Sequence, residues 1–372
     1  MRMATRSPSP RALPQIGWGF LTILLFISLN VFAHAAPPAD RLRALRHGVA
    51  VTGWFRFPVS GVPSALRSYL PDTAISELRS AGFTFVRLAV QPEFLTGSPE
   101  RLRLLTGAIR RLENAGLAVV VDVHPSAWHI ETNDEDRAAL FAFWRMLAPA
   151  LRMLNVGLTF PELLNEPVFP NAPERWQSLQ ADLLRSVRTV LPRNTIVLTG
   201  SEWGSIAGLT ALRPVADDNA VYSFHFYEPP DLTSLAAYRP ALDRSALARL
   251  PFPADREACA EIAGGTDAAT AGVVRFYCGL HWDAARVADE IDKAAAWGRR
   301  NHTVVLLGEF GASAALAPAT RDAWLRAVRV ACESNGAGWA LWGYDDVMGF
   351  NLPRPAGPHP TLDPGVLSAM FR

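Results

Sequence analysis

A (β/α)8 barrel, the TIM-barrel class, is the fold this sequence predicts, and three observations point to it. Eight short apolar or β-branched runs recur between residues 48 and 341. Stretches of helical periodicity separate most of them, the signature of βα units. Polar and titratable residues fall at the C-terminal ends of the runs, where barrel enzymes assemble their sites.

The first run, residues 48–54, lacks the glycine-rich phosphate turn that a doubly wound sheet, the alternative architecture, usually shows. A helical pattern at 73–81 carries Ile75 and Leu78 on one side and stops at Gly82. The second run, 83–88, has Arg87 near its end, and a helix at 98–115 stops at Gly116. The third, 117–122, ends in Asp122 with His124 just beyond, before a helix at 134–154. The fourth, 158–163, leads into Asn165-Glu166-Pro167, and a helix at 173–191 follows. The fifth, 195–199, precedes Ser201-Glu202-Trp203-Gly204. The sixth, 221–226, brings His225 and Tyr227 to its end. An enlarged loop at 228–282, without clear periodicity, separates it from a helix at 283–301. The seventh, 304–310, holds Glu309, and a helix at 319–335 stops at Gly336. The eighth, 338–341, leads into Trp342.

The net charge of +1 over 372 residues removes the basic footprint expected of a nucleic-acid binder. At the N-terminus, Arg2, Arg6 and Arg11 precede an apolar run at 16–32 and then Ala33-His34-Ala35. That order describes a signal peptide over residues 1–35, cut after Ala35, with the catalytic domain at 36–372 secreted or periplasmic. An uncleaved membrane anchor is the rival reading of the same run. In an oxidising compartment Cys259 and Cys278 suit a disulfide, whereas Cys332 lies in a helical pattern as a buried apolar residue.

Glu166 and Glu309 each follow an apolar strand, so their carboxylates would enter the barrel mouth from opposite sides. Glycosidic cleavage needs such a pair: one carboxylic acid protonates the leaving oxygen while one carboxylate attacks or assists at the anomeric carbon. A lone glutamate at a strand end would more often be a salt-bridge partner or a helix cap.

The motifs Leu163-Leu164-Asn165-Glu166-Pro167 and Gly308-Glu309-Phe310-Gly311 resemble glycoside hydrolase family 5, the cellulase-like family. Gly82-Phe83-Thr84-Phe85-Val86-Arg87, Asp122-Val123-His124, His225-Phe226-Tyr227 and Trp339-Ala340-Leu341-Trp342 add to it, over residues 46–352. The resemblance implies a retaining hydrolase of a β-linked polysaccharide, a β-glucan first, with Glu166 as acid/base and Glu309 as nucleophile. It also implies that Asn165 holds the sugar 2-hydroxyl and that His225 and Tyr227 orient the carboxylates. Arg87 would keep Glu309 ionised, His124 would bind hydroxyls, and Trp342 would form the floor under the reacting sugar. The two carboxyls are expected about 5–5.5 Å apart, the retaining separation.

Ala50 and Thr52 depart from the family's opening motif, which often carries Asn and an extra Gly, and this puts one polar contact in question. Asp345 and Asp346 are expected to face solvent. Trp54, Trp128, Trp203 and Trp282 are candidates for sugar-stacking platforms or for packed loop anchors, with Trp203 the preferred platform. No cofactor or metal is expected, and the chain is expected to act as a monomer on an oligosaccharide or polysaccharide. Asp122, His124 and His225 admit a metal-dependent reading, but the first strand offers no tight His-x-His cluster. The barrel also admits a carbohydrate-binding protein without catalysis, whose hallmark would be loss of either carboxylate, or a transglycosylase using the same glutamates.

Overall fold

The computed structural model describes residues 36–345, 353–354 and 361–372. Residues 1–35, read from the sequence as a signal peptide, and Asp346 lie outside the described residues.

Eight strands close into a parallel barrel in sequence order. They are β1 His47–Phe55, β2 Phe85–Val90, β3 Ala118–Val123, β4 Thr159–Glu162, β5 Ile196–Thr199, β6 Ala220–Phe226, β7 Val304–Phe310 and β8 Gly338–Leu341. Each matches a run expected from sequence to within a few residues. Besides several shorter turns of helix, the helices that frame the barrel include α1 Asp72–Ala81, α2 Pro99–Asn114, α3 Asp134–Leu151, α4 Pro173–Arg188 and α5 Ile206–Thr210. Then come α6 Arg256–Gly264, α7 Ala268–Gly279, α8 Ala284–Arg300, α9 Pro318–Ser334 and α10 Pro364–Phe371.

Local chemistry sets these limits. Proline stands at the first turn of α2, α4, α9 and α10, where its missing N–H costs nothing. Ser98, Asn133 and Asp283 accept backbone N–H bonds ahead of α2, α3 and α8. Gly82, Gly116 and Gly336 take positive φ of 114°, 80° and 69° just past α1, α2 and α9, a stop that suits glycine.

Period-two alternation then builds the interior in layers. Phe85, Val120, Phe160, Val197, Val221 and Leu306 pack together as a buried apolar cluster. Two residues further along their strands stand Arg87, Asp122, Glu162, Thr199 and Ser223, all buried. Above these come His124, Glu166, His225 and Glu309. An apolar plug therefore underlies a polar layer, and that layer underlies the catalytic mouth.

The enlarged loop is more ordered than its sequence suggests, since it contains α6 and α7 packed against each other. The Cys259–Cys278 disulfide ties these two helices with a Cα–Cα separation of 6.4 Å. Alanine and glycine dilute the apolar stripe in α7, which explains why the sequence shows no clear period there. Cys332 is buried and free, as expected. Replacing both bonded cysteines by serine is expected to lower unfolding stability by about 3 kcal/mol on the chain-entropy model, read by urea titration.

Asp345 does not face solvent. Its carboxylate accepts the backbone N–H of Thr52 at 2.7 Å and of Gly53 at 2.9 Å, and the Tyr69 hydroxyl donates to it as well. Thr52 Oγ1 donates to the Asp345 carbonyl at 2.9 Å. The chain leaving β8 is thereby fastened to the end of β1, and Thr52 supplies polar contacts at the barrel seam. Trp54 and Trp282 are buried packed aromatics rather than platforms. Trp54 donates its indole N–H to the Leu66 carbonyl at 2.7 Å.

Candidate active site

Arg87 is the hub of the mouth. Fully buried on β2, its guanidinium donates from Nε and Nη2 to the two oxygens of Glu162, at 2.7 and 2.9 Å. Nη2 also reaches Asn165 Oδ1 at 2.9 Å and Asp122 Oδ2 at 3.2 Å, and Nη1 donates to Glu309 Oε1. A planar fork with five donors can satisfy several acceptors at once, which an ammonium cannot. Glu162 belongs to no motif in the sequence, and its place in the site emerges only from the structure. The signal available was an acidic residue inside an apolar strand, which needs a buried cationic partner.

A second chain of contacts leads away from this hub. His124 Nδ1 meets Asp122 Oδ2 at 2.8 Å, and Nε2 meets Asn165 Nδ2 at 2.9 Å. With its δ-hydrogen given to Asp122, the ring accepts at Nε2, so it is neutral. Burial holds its pKa well below the usual value, and the positive charge of Arg56 adds to that effect. Both ring nitrogens are engaged inside the protein. His124 therefore orients Asn165, and neither nitrogen is left for a sugar hydroxyl.

Glu166 and Glu309 face each other over His225. Nδ1 of His225 lies 2.8 Å from Glu166 Oε1 and 3.6 Å from Glu309 Oε2. The carboxylates themselves approach to within 4.8 Å. Tyr227 donates its hydroxyl to Glu309 Oε2 at 3.1 Å. A register shift between β6 and β7 sets His225 opposite Glu309 by passing over Gly308. A Cβ at Gly308 would stand 2.1 Å from Ser223 Oγ, so this approach requires glycine. Glu166 adopts φ of 35°, a left-handed conformation that a non-glycine residue holds only when its surroundings enforce it.

The environments of the two glutamates differ. Burial pushes the Glu166 carboxyl up, against the pull of its His225 contact, and the nearby charge of Glu309 adds to the rise. Burial would raise Glu309 too, but the charges of His225 and Arg87 outweigh it and draw its pKa down to about 2. At neutral pH Glu309 is ionised, and Glu166 is the carboxyl favoured to hold a proton. Opposed shifts in one carboxyl pair are how acid and base roles are divided.

Trp342 lies buried beside His124, with ring centroids 6.1 Å apart. Trp203 is 59% exposed and, like Glu202, adopts a left-handed backbone, which presents its indole at the end of β5. Trp128 is partly buried against Phe143 and serves as a packed anchor.

Among the described residues, two groups of side chains have donor atoms close enough to share a cation: Asp122, His124 and Glu309, and Glu166, His225 and Glu309. In the first group the Arg87 guanidinium already contacts both carboxylates, and His124 has no nitrogen to give. Ligands of a metal would have to be released from these bonds first.

The chain matches a known family over most of its length. The model for cellulase (glycosyl hydrolase family 5) matches residues 48–346. The chain belongs to glycosyl hydrolase family 5. Among relatives of this kind, Endoglucanase 3 of Fibrobacter succinogenes is 24% identical over 333 residues, spanning 82% of this chain and 50% of its own length. Endoglucanase C of Acetivibrio thermocellus is 23% identical over 203 residues, or 50% of this chain and 58% of that one. The chain thus spans about half the length of the curated relatives it matches. The endoglucanase of Thermotoga maritima superposes with a TM-score of 0.71 at 20% identity, covering 90% of this chain and all of the other, which shows the shared barrel.

Within this family-5 site, opposed ionisation gives a testable pH profile. On the roles that the family resemblance implies, reaction needs Glu309 ionised and Glu166 protonated, so kcat/KM should rise through the lower pKa and fall through the higher one. The acid limb is expected near pH 2 and the alkaline limb above the ordinary glutamate range. Glu166→Gln, assayed on an activated aryl glycoside that needs no protonation, should lose the alkaline limb.

Proposed function

We propose that this chain is an exported endo-acting β-glucanase that works by double displacement with retention. The single observation carrying this reading is the pair Glu166 and Glu309, within 4.8 Å of each other and with opposed proton affinities. That spacing favours the retaining window of about 5–5.5 Å over the wider gap that leaves room for a water in inversion. Glu309 attacks the anomeric carbon while Glu166 protonates the departing oxygen. Glu166, then ionised, takes a proton from the water that releases the glycosyl group. Arg87 and Tyr227 hold Glu309 in place, and Asn165 is positioned for the 2-hydroxyl. Trp342 offers an apolar ring to the C–H face of the reacting sugar, with Trp203 as a platform further out.

The relatives named endoglucanase support a β-glucan as substrate, and the Thermotoga maritima enzyme has been solved with cellobiose and with mannotriose. Hydrolysis of a panel of β-1,4-glucan, β-1,3-glucan and mannan, scored for product length, tests the reading. Oligomers released early from β-1,4-glucan support it, and no cleavage of any β-glucan contradicts it. The chemistry needs no metal, so a chelator should leave the rate unchanged. Export rests on the charged, apolar and small-residue order of residues 1–35, and a mature protein beginning at Ala36 is the expected result of N-terminal sequencing.

A further inference from the structure

Arg56 is a cation that the mechanism above does not use. It follows β1 directly, in a turn closed by the Phe57 N–H donating to the Thr52 carbonyl at 3.1 Å. Its guanidinium carbon lies 4.4 Å from the Phe57 ring centroid and 6.0 Å from that of Trp342. Stacking on Phe57 fixes the plane of the group beside the ring proposed to carry the reacting sugar.

The group has no acid within ion-pair distance among the described residues, and its Nε is buried without a hydrogen-bond partner. Arg87, the other arginine of the mouth, contacts three carboxylates. Asp122, Glu309 and Glu166 lie close enough to act on Arg56 through their charge, yet none of them bonds to it. A half-buried guanidinium without an ion-pair partner costs free energy that a ligand with matching acceptors can recover. The acceptor that best fits a planar fork is a carboxylate, held by two parallel N–H bonds. Near two catalytic carboxylates an anionic sugar would be repelled, unless a cation stood at that place to offset them.

From this geometry we infer that Arg56 is a specificity residue for an acidic sugar, a β-linked uronic acid whose carboxylate it grips beside the Trp342 ring. The inference rests on the glucanase reading for the reaction but not for the binding. The acidic unit occupies the position next to the bond that is cut, so the preferred substrate is a glucan in which some units bear a C6 carboxylate.

Two measurements test this. Calorimetric binding to the Glu309→Gln protein compares a neutral cello-oligosaccharide with the same oligosaccharide oxidised to carboxylate at C6. The carboxylate form should bind at least about tenfold more tightly at low salt, and the advantage should shrink as salt rises. Adding Arg56→Met should bring the ratio of the two affinities close to one, and Arg56→Lys should restore part of it, with thermal unfolding checking that each variant is folded. Equal binding of the two ligands, or a preference that survives Arg56→Met, would overturn the inference. Cleavage of neutral glucan without a carboxylate preference sinks this inference and leaves the glucanase reading intact. A carboxylate preference in binding without cleavage of any glucan does the reverse.

Discussion

Glu309→Gln is expected to lower kcat by several orders of magnitude, on the order of 10⁴-fold or more, because under the proposed mechanism it removes the group that bonds covalently to the sugar. Glutamine keeps the volume and an acceptor for Tyr227 but gives up the charge that balances Arg87 and His225. The loss alone would not separate a nucleophile from an electrostatic helper. Azide supplies the separation. In Glu309→Ala the small anion attacks from the vacated side and yields an α-glycosyl azide, inverted relative to substrate. In Glu166→Ala it intercepts the glycosyl-enzyme and yields the β-azide. The reverse assignment of the two products would exchange the roles of the two glutamates, and a Glu309→Gln protein with ordinary turnover would leave only a binding barrel.

The second large effect is on stability. Arg87→Met should destabilise the protein by about 3–5 kcal/mol, since it removes one partner of a buried ionic cluster and leaves the others uncompensated. Asp122, Glu162 and Glu309 all lose their cation. The pH dependence has a definite sign. The depressed pKa of Glu309 contributes stability that is full above its unfolded value and is lost as pH falls towards about 2. The part of the deficit due to Glu309 should therefore be largest near neutrality and narrow in acid, as read by urea unfolding at several pH values. In the same variant the acid limb of kcat/KM should move up, because Glu309 is no longer held ionised. Arg87→Lys should recover part of that limb but not the forked contact to Glu162.

Much of this architecture is legible in the residues. The eight strands are short and richly β-branched, and their helices end at Gly82, Gly116 and Gly336, so period and punctuation agree. Glu166 and Glu309 can be found because polar residues stand out at the ends of apolar runs. What stays hidden is what depends on partners far apart in sequence. Glu162 looks like a stray acid inside a strand until Arg87, 75 residues earlier, folds against it. Asp345 looks like a surface residue until the barrel closes and brings it to Thr52, a separation of 293 residues. His124 looks like a sugar ligand from its place at a strand end, but whether its nitrogens are free depends on Asp122 and Asn165. Arg56 carries no motif at all, and its interest lies in a buried Nε without a hydrogen-bond partner, which only packing reveals.

The stereochemistry of the first product probes the pairing of Glu166 and Glu309 most directly. Proton NMR of freshly cleaved β-glucan oligosaccharide should show the β-anomer at the new reducing end before mutarotation, the outcome of two successive inversions at one carbon. An α-anomer as the first product would mean a single displacement by water, which two carboxylates this close together would not accommodate.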